Sequence, residues 1–355
     1  MRRAAFIAGG IAVSALGGAM CAWIGTPLPW MIGAIFGMSA AQLAGAPFEP
    51  LPGARQAAFV VVGTSLGLYF TAPVVAQVAN QWPWFIALGF AAIGFGTASA
   101  WVLARLSGCD RTTAYFASMP GGAAEMALMG ERYGAKADRV ALGHSMRVII
   151  VVTLFPVGIT LAGFHSTEDY RPITIPFDLW RLAMLLAITG TAGGLARLAR
   201  IPTPFMMGAL ATTIALTVSG FTFSSVPTPF TNAAQVFMGC ALGARFDRDF
   251  LAAAPSFLKG LVPSIAVTLV LSLLVGWGLS AGAGVYLGAG LLAAAPGGIA
   301  EMSITAKVLR INVAFVTAAH VIRYATVVLL TIPIYRFFIR RPQAGTSSET
   351  PPPPQ

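Results

Sequence analysis

At 355 residues the chain is long enough for two soluble domains, yet only 10% of it is charged while 57% is apolar. A soluble protein of this size cannot cover its surface with so few charges. Nor does the net charge of +10 point to nucleic acid, because Lys and Arg sit in short loops between apolar segments, where a membrane protein collects them.

Taken in chain order, the apolar stretches are Ala4–Gly25, Ala57–Ala79, Trp84–Leu106, Val140–Gly163, Leu179–Ala196, Leu258–Leu279 and Val313–Phe337. Each is close to the roughly 20 residues that cross a ~30 Å hydrocarbon core as helix. Met1-Arg2-Arg3 ahead of the first stretch resembles a signal peptide, but that stretch has a counterpart later in the chain and is assigned to the mature fold. Cys21, Cys109 and Cys240 are scattered without metal or disulfide spacing, and read as small apolar fillers. The Pro-, Ser- and Thr-rich tail after Arg341 is expected to be disordered.

Self-comparison gives the most specific signal. Pro120-Gly121-Gly122-Ala123-Ala124-Glu125-Met126 returns as Pro296-Gly297-Gly298-Ile299-Ala300-Glu301-Met302, an offset of 176. His144 and Arg147 then match His320 and Arg323 without a gap, and Gly63–Gly67 matches Gly239–Gly243. Pro29–Gly33 matches Pro204–Gly208 at an offset of 175, and Gly17-Gly18 matches Gly193-Gly194. The duplication sets the domain plan. Residues 1–164 form a first membrane repeat, 165–176 a polar connection, 177–341 a second repeat, and 342–355 the tail.

Each half holds five ordinary helical segments, with the Pro-Gly-Gly element between the fourth and fifth. Charge counting decides whether that element crosses the membrane. With Arg147 and Arg323 set aside as intrahelical, 20 basic residues remain, and six crossings per half divide them ten against ten. Five crossings, with a re-entrant or broken Pro-Gly-Gly element, place 16 on one side and leave only Arg171, Arg181, Lys307 and Arg310 on the other. The expected fold is therefore an all-α polytopic membrane protein of two inverted repeats, with ten full crossings. Both termini are expected in the cytoplasm of a bacterial inner membrane.

A Pro-Gly-Gly break inside a membrane leaves backbone groups unpaired, which is tolerated only in protein or against a wet cavity. The helix after it offers free N–H groups and its positive dipole end to an anionic group. Gly121, Gly122, Gly297 and Gly298 are therefore candidate binding positions, with Glu125 and Glu301 in the first turn of each following helix. His144 and Arg147 share a helix face, as do His320 and Arg323. Arg147 lies about 12 Å beyond Arg139 along the helix, so it must face the bundle and pair. Glu125 of its own half or Glu301 across the axis is the expected partner, and the histidines are candidate proton relays. Thr26–Met31 and Pro202–Met206 open the second segment of each half with proline in the first turn and are candidate cavity walls.

The two Pro-Gly-Gly-x-Ala-Glu-Met elements, the His-x-x-Arg after each, and the duplicated layout resemble the AbrB duplication family of integral membrane proteins, over nearly the whole chain before the tail. The layout is also similar to cation–proton antiporters and anion transporters built from inverted five-helix repeats, a likeness of fold alone. The family carries two labels, ammonia monooxygenase and regulator of gene expression. Three readings follow. The first is a secondary transporter of a small polar or ionic solute, with Glu125 and Glu301 binding the coupling proton or Na⁺. The second is a membrane-embedded regulator acting indirectly on gene expression. The third, disfavoured, is a metal-dependent monooxygenase with Glu125, Glu301, His144 and His320 as ligands, since the adjacent arginines oppose cation binding. The expectation is accordingly a non-enzyme without metal or cofactor, whose partners are the lipid bilayer and a solute, not nucleic acid, with a homo-oligomer left open.

Overall fold

The structure is a computed structural model, described here for residues 2–164, 175–246, 248 and 255–339. Most of the polar connection and the whole tail lie outside these residues. Among them the fold is all-helical.

The first half runs α1 (Arg2–Ile24), α2 (Pro29–Leu43), α3 (Ala54–Gly67), α4 (Ala72–Ala79), α5 (Trp82–Ser107), α6 (Arg111–Ser118), α7 (Ala123–Glu131) and α8 (Ala137–Leu161). The second runs α9 (Leu179–Leu198), α10 (Pro204–Val218), α11 (Thr228–Gly243), α12 (Pro255–Ala283), α13 (Leu287–Ala294), α14 (Ile299–Val308) and α15 (Val313–Ile334), the last extended by a π-turn over Tyr335–Ile339. Among the described residues six helices are long and apolar enough to cross a membrane: α1, α5, α8, α9, α12, and α15 with its π-turn. By length and composition this is a multi-pass membrane protein, and Trp23, Leu161, Trp180 and Leu198 stand exposed on its apolar exterior.

Ten helices of spanning length were expected, and the difference lies in four shorter ones. α2, α3, α10 and α11 have 14 to 16 residues, which at 1.5 Å per residue falls short of the full ~30 Å core. Proline fixes where two of them start. Pro29 and Pro204 occupy the first turn, where a missing N–H is harmless, and the preceding Leu28 and Thr203 are left-handed, with φ of 50° and 44°. The stretch expected to be continuous over Ala57–Ala79 is instead broken, with α3 and α4 meeting at 91°. Pro73, in the first turn of α4, cannot extend a helix arriving from α3.

The helices form two groups. In one, α1 packs on α2, α9 on α10, and the two halves interlock as α3 lies against α10 and α11 against α2. Glycine permits this approach. A Cβ on Gly63 would stand 2.8 Å from Met206 O, and one on Gly239 would stand 2.7 Å from Met31 O. The other group pairs α5 with α12 and carries α6, α7 and α8 beside α13, α14 and α15. A buried cluster joins the long pair. Ser99 Oγ donates to Ser264 O at 2.7 Å, and Thr268 Oγ1 donates to Ser99 Oγ at 2.8 Å. The groups meet chiefly where α3 touches α14, with smaller contacts of α3 with α15 and of α2 with α8.

Close packing by small residues substitutes in lipid for a hydrophobic driving force between helices. A Cβ on Gly33 would fall 2.1 Å from Gly17 O, whereas one on Gly94 would meet nothing within 4 Å. Gly33→Leu is expected to separate α1 from α2 and destabilise by about 1–3 kcal/mol. Gly94→Ala should be neutral or stabilising by up to about 1 kcal/mol. Melting of both variants in detergent reads this, and equal melting temperatures would refute the packing account.

Candidate functional site

Helix α6 ends at Ser118 and α13 at Ala294, each after eight residues. The chain then passes through Met119–Gly122 or Ala295–Gly298 and resumes as α7 or α14. The packing explains the repeated sequence. The Glu125 carboxylate folds over the second glycine, so a Cβ on Gly122 would lie 2.0 Å from Oε2, and Gly298 stands in the same relation to Glu301 Oε2 at 2.0 Å. The methionine covers the first glycine, since a Cβ on Gly121 would lie 2.6 Å from Met126 Cε and one on Gly297 2.8 Å from Met302 Cγ. Both methionines are buried.

The arginines do not pair with these glutamates. Among the described residues the one ion pair is Arg3–Glu49, at 3.0 Å on the surface. Arg147 instead donates to the carbonyls of Ser118 (3.3 Å), Met119 (2.8 Å) and Gly121 (3.4 Å) and to His144 Nδ1 (3.0 Å). Arg323 repeats the pattern on Ala294 (3.4 Å), Ala295, Gly297 (2.9 Å) and His320 Nδ1 (2.9 Å). The carbonyls at the end of a helix have no intrahelical donor and carry the negative end of its dipole. A guanidinium satisfies both needs with its forked donors.

The same contacts settle the histidine tautomers. His144 Nε2 lies 2.9 Å from Phe116 O and His320 Nε2 2.9 Å from Leu292 O. A carbonyl only accepts, so Nε2 carries the hydrogen and Nδ1 is the acceptor for the arginine. Each histidine is neutral in this arrangement, with both nitrogens engaged, and it orients the arginine beside it.

One cavity, a void of about 950 Å³ including its open mouth, lies between the two helix groups. Gly121, Gly122, His144, Arg147, Gly297, Gly298, Glu301 and Arg323 line it, so both breaks open into one space. Glu125 and His320 are not among its lining residues. Thr203 and Met206 of the Pro202–Met206 motif are, together with Pro120. Among the described residues, three buried polar atoms on its walls have no hydrogen-bond partner: Arg147 Nε, Arg323 Nε and Thr203 Oγ1. Arg55 and Arg245, which the sequence did not single out, complete the wall. Arg55 stacks over Phe59 at 5.0 Å, and Arg245 Nη1 donates to Ser145 Oγ at 3.2 Å. Their equivalents in the other half are Thr231 and Tyr69, so self-comparison is blind to them. Among the described residues the lining thus holds four guanidinium groups against one carboxylate, Glu301.

Arg323→Met removes the donor to Ala295 O and Gly297 O and should destabilise by about 3 kcal/mol. Arg323→Lys should restore only part of this, because one ammonium cannot fork between carbonyls. Wild-type melting of Arg323→Met in detergent would show that the carbonyls find another partner.

Residues 30–339 match the family described as transition state regulatory protein AbrB. The chain is 27% identical to a Bacillus subtilis (strain 168) protein named YhjN, covering 92% of this chain and 91% of that one. It is 26% identical to an Escherichia coli (strain K12) protein whose name describes it as a regulator, AbrB, covering 87% and 88%. With the family pattern spanning both breaks and both His-x-x-Arg pairs, the chain belongs to the AbrB family.

Proposed function

We propose that the chain is a secondary transporter of a small polar or ionic solute, which binds in the cavity between the two Pro-Gly-Gly breaks. The observation that carries this reading is that breaks 176 residues apart in sequence line one space. Helix breaks at matching positions of two repeats are the hallmark of a transport site near the membrane midplane. The N-termini of α7 and α14, the unpartnered Nε of Arg147 and Arg323, and the excess of guanidinium groups suit a solute with an anionic group. Glu301 in the wall, and Glu125 beside Gly122, are the groups that take the coupling proton or Na⁺.

In this reading the repeats are inverted, the broken elements re-enter from opposite faces, and both termini lie in the cytoplasm of a bacterial inner membrane. The bias of 16 basic residues to one side supports that orientation. The E. coli relative's name supports a second reading, a membrane-embedded regulator acting indirectly on gene expression. The geometry speaks against a metal held by Glu125, Glu301, His144 and His320. Both histidines face a carbonyl with one nitrogen and a guanidinium with the other.

The test is uptake into proteoliposomes of labelled ammonium, amino acids and small carboxylates under a proton or Na⁺ gradient. At least one solute is expected to accumulate above protein-free vesicles. Its uptake should fall tenfold or more in Glu125→Gln and in Glu301→Gln, although both variants melt as the wild type does. Undiminished uptake in both variants, or no uptake of any solute by folded protein, overturns the reading.

A further inference from the structure

A second cavity of about 680 Å³, including its opening, lies on α3, α11 and α14. These three helices also line the first cavity, through Phe59, Met238 and Glu301 respectively. The nearest lining positions of the second are Val62, Gln235 and Ile304. On each helix the two cavities are three residues apart, about 4.5 Å of rise.

The repeat relates them further. Ser65 and Leu66 in the second cavity are equivalent to Ala241 and Leu242 in the first, and Thr231 and Gln235 are equivalent to Arg55 and Phe59. Exchanging the two halves of the sequence therefore exchanges these walls of the cavities.

The charge of the second cavity has another origin. Among the described residues its one ionisable lining residue is Lys307, whose repeat equivalent is Glu131. Lys307 Nζ donates to Ser65 Oγ, and among the described residues no carboxylate lies within 4.0 Å of it. A cation held by one hydroxyl, without a counter-ion, at the wall of a recess is a site for a small anion.

We propose that this cavity is the opposite mouth of the same path, and that Lys307 binds a small carboxylate or inorganic anion there. The mouth assignment rests on the transport reading, whereas the anion site stands without it.

The experiment uses full-length protein with Cys21, Cys109 and Cys240 replaced by Ser, and one new thiol at Asn232, which lines the second cavity. Methanethiosulfonate reagents of opposite charge then probe the site. The anionic reagent is expected to react at least fivefold faster than the cationic one, and acetate should slow it. Lys307→Gln should abolish the preference, while Lys307→Arg keeps it. Equal rates in the parent, no reaction with either reagent, or a preference that survives Lys307→Gln overturns the anion site.

In intact cells the impermeant reagent should reach Asn232→Cys, but reach Ala241→Cys in the first cavity only after permeabilisation. Labelling of both from outside, or of neither, overturns the assignment of opposite mouths. Absent uptake in proteoliposomes with the charge preference intact would count against transport and leave the anion site standing.

Discussion

A helix that stops after eight residues inside an apolar bundle leaves its last carbonyls without donors, at about 1–3 kcal/mol for each one left unsatisfied. Arg147 and Arg323 remove that penalty at α6 and α13. Each is nearly fully buried, at 4% and 2% exposure, and a lone buried cation would itself be costly. The two liabilities cancel, because the carbonyl dipoles solvate the charge while the charge caps the helix. The histidine completes the arrangement by presenting Nδ1 to the guanidinium and anchoring its own ring on a carbonyl one turn back. Without this pairing the break could not stay open, and the first glycine of each element could not be held at the cavity wall.

The contacts common to both halves and the residues peculiar to one divide the labour. The arginine–carbonyl contacts, the histidine anchors and the Glu and Met covers recur residue for residue, so they belong to the construction of the breaks. The cavity's individuality comes from positions where the halves diverge. Arg55 and Arg245 have Thr231 and Tyr69 as counterparts, Tyr324 has Val148, and Lys307 has Glu131. A duplicated scaffold supplies two equivalent breaks, and substitutions on one copy at a time give the two cavities different linings.

Much of this was legible in the sequence, for identifiable reasons. The helix starts at Pro29 and Pro204 follow from proline chemistry, and the position of each break follows from Pro-Gly-Gly. The burial of Arg147 followed from its distance along α8, but its partner did not. Residue identity suggests an opposite charge, Glu125 or Glu301, whereas those carboxylates are turned onto their own helix starts. Backbone carbonyls are strong partners that residue identity does not display, and only the geometry of a helix end reveals them. The bend after Gly67 was hidden for the opposite reason. Leu68, Tyr69 and Phe70 keep the run apolar, so hydropathy passes over a break that Pro73 makes in space. Arg55 and Arg245 looked like loop residues on the cytoplasmic side, and only the interlocking of α3 with α10 and of α11 with α2 brings them to one wall.

The balance of charge around the first cavity carries the last step. Arg147 and Arg323 spend both terminal nitrogens on carbonyls and histidine, so what each offers the cavity is a single Nε–H. Arg55 is held by the face of Phe59 and Arg245 by the Ser145 hydroxyl, neither of which neutralises a full charge. Glu301, the one acid in the wall, lies over Gly298 at the start of its own helix, where the dipole already favours a carboxylate. An anionic solute entering this space therefore meets uncompensated guanidinium charge together with a helix terminus occupied by a displaceable carboxylate. In the transport reading, protonation of that carboxylate would free the helix N–H groups for the solute, so that proton and anion favour each other's binding. In the proposed transporter, that mutual dependence couples the ion to the solute without direct contact between them.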